Sequence, residues 1–386
     1  MTRALVIGAG VIGAATAHRL AEAGADVTVL DAGGRTPGTS SATFSIDVTH
    51  LKTPHSYFLL NQRSAALHRE LEREIQARTG APGWRHPAPL VQWGHTEEEQ
   101  RTLRARAERL ADWGHPCRTA DPGELRTLAP AVAPASCRAT ELVVHDDATW
   151  YDAPRLAHTL LDRAAALGAD IRYDTPVTAL LRDGERVRGA EARGRHFEAD
   201  HVVNCAGPDA GRIAELAGVR LPLRRIPGLV GESVPLAEPL RAIVATPGVD
   251  LRPAPGNRVC AISWPVDALL APTPDTQVPP EADLLGRCAE VLPAFRALGG
   301  TRIGVRPVPE DGLPLVGPHP HAPGLYTIAT HSGVTLAPLL AALAAEELTT
   351  ATPAPALAPY RPDRDTSQPI RDESLAVMSG HRTEVG

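Results

Sequence analysis

Residues 6–31, VIGAGVIGAATAHRLAEAGADVTVLD, carry Gly8, Gly10 and Gly13 in a G-x-G-x-x-G spacing, with an acid, Asp31, 18 residues beyond the last glycine. An apolar run leads into the triplet, a run of helical period follows it, and a second apolar run ends at Asp31, which together read as one βαβ unit. Gly8 allows the tight turn out of the strand. Gly10 lets a pyrophosphate approach the N–H groups at the positive end of the helix that Val11 and Ile12 open, and Gly13 lets helix and strand pack closely. Asp31 can accept hydrogen bonds from ribose hydroxyls, and an acid there disfavours a 2′-phosphate. Strand, helix and acid in register point to dinucleotide binding. The motif alone does not separate NAD from FAD.

The chain has 386 residues, too many for one ordinary core, so two domains are expected. Its formal charge of -6 argues against a nucleic-acid partner held through phosphates. Five cysteines, Cys117, Cys137, Cys205, Cys260 and Cys288, form no C-x-x-C pair and no zinc spacing, which predicts reduced thiols, no metal and a cytoplasmic setting. The apolar start is accounted for by the glycine motif rather than by a signal peptide. The late run VTLAPLLAALAA is too short to span a bilayer, so no membrane span is expected. A monomer and a homo-oligomer both agree with this composition.

Helical spacing is found over 57–79 and, with a dense charge run, over 96–114. Residues 152–182 repeat the helix-and-strand theme, and 184–207 read as a hairpin followed by a buried strand that stops at a glycine turn. From 223 to 300 the pattern becomes short strands separated by Pro and Gly, with a helix near 281–296. A strand GLYTIAT, a turn HSG and a helix opening at Thr335, with Pro338 in its first turn, close the ordered part. Residues 363–386 are polar, without apolar period, and are expected to be disordered.

Five segments stand in a specific order: the glycine motif, PGTSSATFS at 37–45, TPVTALL at 175–181, ADHVVNCAGPDA at 199–210, and GVRPVPEDGLPLVGP with HSGVTLAPLLAALAAEEL at 304–348. In that order they resemble the D-amino-acid oxidase (DAO) family of FAD-dependent oxidoreductases, and within it the glycine oxidase and sarcosine oxidase group, over about residues 3–348. The resemblance implies an α/β fold, with a glutathione-reductase-like, Rossmann-type FAD-binding domain and an inserted mixed-sheet α+β substrate domain. The expected boundaries are 1–88, 142–222 and 300–362 for the FAD-binding domain, and 89–141 and 223–299 for the substrate domain.

The same resemblance places Ser40 and Ser41 beside the pyrophosphate and flavin, Val177 against the adenine through its backbone, and Ala206 and Gly207 close to the cofactor. Ser332, Gly333, Val334 and Thr335 belong to a turn and helix start whose free N–H groups suit the negative charge that develops on a reduced flavin. Relatives that bind FAD covalently use a cysteine near the segment matching RPVPEDG or a histidine in the one matching GTSSATF. Neither is present here, which implies non-covalent FAD.

Arg306 matches the arginine that grips the substrate carboxylate, a task for which a planar fork of donors is suited. His331 stands where glycine oxidases carry an arginine, so it is either a substrate contact or a histidine satisfied within its own turn. Asp250 falls where relatives often place a tyrosine. It either faces the site, favouring a cationic substrate, or lies on the solvent side of an edge strand. Of the 39 basic residues only Lys52 is a lysine, which is either a consequence of composition or a requirement for a compact cation. In sarcosine-oxidase-like members the matching segment passes the flavin ring, so Lys52 and His50 could stand beside it. Trp84, Trp93, Trp113 and Trp150 are expected in the core or at an interface, with one a candidate for the cavity wall.

The implied reaction is oxidation of a C–N bond in an amino acid or amine, by hydride transfer to flavin N5 and hydrolysis of the imine, with O2 or another electron acceptor reoxidising the flavin. Three alternatives stay open. They are an N-demethylating or secondary-amine dehydrogenase of the same family, an NAD-dependent dehydrogenase, and a non-catalytic FAD-binding module.

Overall fold

Burial along Arg3–Ile7 is continuous after its first residue, the mark of a strand covered on both faces. In the computed structural model, which describes residues 1–35, 38–115, 117–270 and 280–367, this strand is central in a six-stranded sheet. It pairs in parallel with Asp26–Leu30 on one side and His201–Asn204 on the other. Leu325–Ala329 continues the parallel order beyond His201–Asn204, Asp170–Arg172 beyond Asp26–Leu30, and Leu315–Pro318 closes one edge antiparallel. Ala4 and Val6 pack under the helices Val11–Glu22, Ala153–Ala166 and Gly333–Thr350. Leu5 and Ile7 point the other way, into a core shared with the three-stranded sheet of Val177–Asp183, Arg186–Ala192 and Arg195–Glu198. Period-two alternation thus gives one strand two cores.

The second sheet has eight strands and is mixed. Leu223–Ser233 runs antiparallel to Leu298–Pro309 along its whole length, whereas Ile243–Ala245 is parallel to Leu90–Gln92. The helix Glu281–Val291 and Phe295 fill one face of this sheet. The α/β class and the mixed second sheet agree with the sequence reading.

Several local expectations need correction. The region from 223 onward is not built from short strands alone, because Leu223–Ser233 has 11 residues and Leu298–Pro309 has 12. Leu142–His145 and residues 300–309 of Leu298–Pro309 fall on the cofactor side of the expected boundaries at 142 and 300, and both strands belong to the eight-stranded sheet. Their backbone partners, Leu90–Gln92 and Leu223–Ser233, lie far off in the chain, and local pattern does not report them. The last helix opens at Gly333 rather than Thr335, which puts Pro338 in its second turn. Arg364, expected in a disordered tail, donates from Nε and Nη2 to the carboxylate of Asp311, both at 2.8 Å, and so pins residues 361–364 to the fold. The remainder of that expected tail, 368–386, lies outside the described residues.

Among the described residues no helix is long and apolar enough to cross a membrane. No group of three or more His, Cys, Asp and Glu among them could hold a metal ion. All five cysteines are free thiols.

Candidate functional site

The turn between the first strand and helix is held by backbone geometry that only glycine tolerates. Gly8 has φ +107°, and its N–H donates to the Leu30 carbonyl at 2.8 Å. A Cβ on Gly13 would overlap the Gly8 carbonyl, so the helix can approach the strand only without one. Gly10 caps the helix in an extended conformation with no side-chain cap, while the Ser40 hydroxyl accepts from Val11 N–H at 3.1 Å. Both oxygens of Asp31 are engaged, Oδ2 by Ala9 N–H at 2.6 Å and Oδ1 by Gly33 N–H at 2.8 Å. Burial pushes its pKa up even against these bonds. The Thr175 N–H donates to the Asp31 carbonyl at 2.6 Å, bringing the segment that starts at Val177 beside the acid. The carbonyl of Val177 accepts from Arg212 at 3.4 Å.

A cavity runs from this turn to the eight-stranded sheet. Gly10, Val11, Ile12 and Ser40 line one end, with Gly207 beside them. His331, Ser332, Gly333, Val334 and Thr335 line its middle, and Asp250, Trp264 and Arg306 the far end. The helix Gly333–Thr350 also begins without a bond from its N-cap side chain, so two helix N-termini, the first with its Val11 N–H given to Ser40, meet at one cavity.

At the far end the Arg306 guanidinium lies over the Trp264 ring, its central carbon 4.6 Å from the centroid. Nη2 is ion-paired with Asp267, whose other oxygen accepts from Leu229 N–H at 2.7 Å. Nη1 is buried and has no hydrogen-bond partner. Asp250 lies on an interior strand, between Arg258–Ile262 and Ile243–Ala245, and faces the cavity, which removes the solvent-side alternative. Burial raises its pKa to about 7, although the Thr246 N–H and the Trp264 side chain hydrogen-bond to it.

The expected basic residues divide. His331 lines the cavity, its Nδ1 3.3 Å from the Ser332 hydroxyl, and burial together with the charges of Lys52 and Arg306 holds it well below its usual pKa. Lys52 is fully buried behind that wall, its Nζ 5.3 Å from the Tyr57 ring centroid, while the Tyr57 hydroxyl lies 3.4 Å from that of Ser332. His50 corrects the expectation. Its ring packs 4.8 Å from that of His145, on the side of His115 and Arg106 rather than on the cavity wall, because the three residues per turn of this 3-10 segment put Val48 and Leu51 together on the cavity side and His50 on another face. Ser41 and Ala206 also stand off the cavity; Ser41 donates to the Gly38 carbonyl at 2.9 Å.

Trp84 and Trp93 are core residues, and none of the four tryptophans singled out in the sequence lines the cavity. Trp264 does. A signal for it existed in SWPVD, where Ser263 caps a short helix with proline in its first turn and Asp267 at its end.

Residues 3–347 match the family profile described as DAO, FAD dependent oxidoreductase. The chain belongs to the DAO family. It is an FAD-dependent oxidoreductase. This DAO-family protein is 29% identical to the glycine oxidase of Geobacillus kaustophilus over 92% of its own length and 95% of that protein's. It is 26% identical to the glycine oxidase of Pseudomonas aeruginosa, covering 93% and 98% of the two chains. The crystal structure of the Geobacillus enzyme superposes with a TM-score of 0.84 at 27% identity, over 95% of this chain and 100% of that one. The residues present fit FAD: the uncapped helix ends, the crowded glycines and the engaged acid form a cradle for a dinucleotide that continues into a polar-ended cavity.

Proposed function

We propose that this DAO-family protein oxidises the C–N bond of an amino acid, with the substrate carboxylate on Arg306 and FAD held without a covalent link. The observation that carries the reading is the unpartnered, buried Nη1 of Arg306. Asp267 fixes one arm of the fork and Trp264 supports its face, so the remaining donor is aimed without further ordering. A carboxylate anchored there would be oriented by the protein before reaction. When bound, FAD supplies the two-electron oxidation, with O2 or another acceptor removing the electrons.

Within this reading, the turns at Gly8–Gly13 and Ser40 and the helix start at Ser332–Thr335 hold the cofactor, with Asp31 toward the ribose and Val177 toward the adenine. His331, kept neutral, contacts the substrate side of the cavity. Lys52 acts from behind it as a fixed positive charge. The division into cofactor and substrate parts follows the six-stranded and eight-stranded sheets. The free thiols support a cytoplasmic setting.

The test is an absorption spectrum followed anaerobically during addition of D-, L- and N-methyl amino acids. Bands near ~370 and ~450 nm, typical of oxidised flavin, should be released by denaturation and filtration and should bleach with one class of amino acid. Protein that binds FAD yet bleaches with none of them would overturn the proposal.

A further inference from the structure

Arg306 and Asp250 face the same cavity from different strands, and they are not each other's counter-ions. Arg306 is balanced by Asp267, which is also tied to Leu229 N–H. Asp250 forms no ion pair among the described residues; its hydrogen bonds come from the Thr246 backbone and Trp264, the same side chain that supports Arg306. The cavity therefore holds a guanidinium with one open donor and, across one indole, a carboxyl without a cation. An α-amino acid carries the complementary pair, a carboxylate and an ammonium on one carbon.

We propose that Asp250 receives the substrate ammonium and takes its proton before oxidation, a role that rests on the reading above and adds a catalytic residue to it. An ammonium nitrogen has no lone pair to assist loss of hydride from Cα. When an Asp250 oxygen takes one proton, an N–H bond breaks, an O–H bond forms, and nitrogen keeps the electron pair. As the Cα–H bond breaks and hydride leaves to FAD with both its electrons, that pair becomes the C=N bond. Water then hydrolyses the iminium to the oxo acid and ammonium, and Asp250 returns its proton to solvent.

The electrostatics suit the task. Removal from water and the nearby charge of Asp267 hold the Asp250 carboxyl near 7, so it changes state where substrate ammonium must be deprotonated. The other charged groups around it are committed. Arg252, on the same strand, donates to the carbonyls of Phe44 and Pro253, and His331 is kept neutral by burial, Lys52 and Arg306.

The experiment uses the FAD-loaded enzyme, the amino acid that bleaches it fastest, and the variants Asp250→Asn and Asp250→Glu. For wild type, kcat/KM should fall as pH drops below about 7. Asp250→Asn should lose ~10²-fold at pH 7, in the range of general-base effects, and regain most of it at alkaline pH, where substrate arrives as the free amine. Asp250→Glu should keep an acid limb.

A second readout needs no turnover. Acetate, which offers a carboxylate and no amine, should bind wild type more tightly as pH falls toward 7, by about tenfold per unit well above it and levelling off below it, when followed by perturbation of the flavin spectrum. It should bind Asp250→Asn without that dependence. Parallel pH profiles in wild type and Asp250→Asn, or pH-independent acetate binding in wild type, would overturn the assignment of Asp250 while leaving amino-acid oxidation standing. So would a loss confined to substrates with a second amine. If no amino acid bleaches the flavin, the reading of the function fails, and this one with it.

Discussion

Nε2 of His68 donates, at 2.9 Å, to the carbonyl of Val334, the helical acceptor that Pro338 cannot serve for want of an N–H. Nδ1 of the same ring accepts from the Trp84 indole N–H at 3.2 Å, which assigns the proton to Nε2. His68 thus repairs the helix at the turn that lines the cavity, and its burial keeps the ring neutral, with a pKa of about 4.

Replacing His68 by Phe keeps a ring but leaves the Val334 carbonyl and the Trp84 N–H without partners. Unmade buried hydrogen bonds cost about 1–3 kcal/mol each, so the melting temperature should drop clearly. FAD should also bind roughly tenfold more weakly, because the loosened residues are those at the helix end. His68→Gln, which keeps a donor, should recover part of both. A His68→Phe variant that melts lower yet binds FAD with wild-type affinity would separate the repair from the cofactor site.

Gly228 lies under the Arg306 guanidinium so closely that a Cβ there would overlap the guanidinium and stand 2.8 Å from the Asp267 carboxylate. Gly228→Ala should displace the fork without removing it. A misplacement of about 1 Å can cost on the order of 10²-fold in rate, so kcat/KM should fall by at least tenfold, mostly through KM. Arg306→Lys should lose more, because an ammonium cannot pair with Asp267 and present a second aligned donor. Wild-type KM in Gly228→Ala would show that the position of the fork does not set substrate binding.

The glycine motif was legible because each part is local: the φ of Gly8, the close approach at Gly13 and the placement of Asp31 are all decided within residues 6–31. Arg306 was legible from its segment, but its partners were not. Asp267 lies 39 residues away in sequence, on a short helix tied to Leu229 N–H, and Gly228 comes beside Arg306 only through antiparallel pairing of Leu223–Ser233 with Leu298–Pro309. Asp250 was ambiguous for the same reason. Whether a strand is interior or at an edge depends on its neighbours, and here those are Arg258–Ile262 and Ile243–Ala245. His50 was misplaced because a short 3-10 turn has no readable periodicity. His68 carried no motif at all, and only the packing of its helix against Gly333–Thr350 gives it a role.

Four buried histidines are held neutral by desolvation, His18, His68 and His319 with pKa values of about 4 and His145 of about 3. In the unfolded chain each titrates near 6.5, as model histidine does. As pH falls below that value the unfolded state binds protons that the folded state refuses. Stability is therefore lost from about 6.5 downward until the folded values are reached, with each histidine adding a slope of about 1.4 kcal/mol per pH unit. Denaturant melts between pH 8 and 4 should show a nearly flat region above 7 and a steep decline from 6 to 4. A decline that begins only below 4.5 would assign acid sensitivity to carboxylates instead.

Lys52 is completely buried, and its charge helps to keep His331 neutral. A cation fixed in a site from which water is excluded favours electron transfer to O2, because it stabilises the charge of superoxide as it forms. Lys52→Met, similar in length and apolar, should slow reoxidation of the substrate-reduced enzyme by O2 by roughly 10–100-fold. Anaerobic reduction by the amino acid should change much less, since Lys52 stands behind the wall rather than on it. Lys52→Arg should not restore the rate, because at a fully buried position a planar, delocalised guanidinium does not replace a compact ammonium. Stopped-flow measurement of the two half-reactions decides the matter. Equal losses in both would make Lys52 a structural residue of the wall, and a selective loss in reoxidation would make the chain's one lysine its oxygen-side charge.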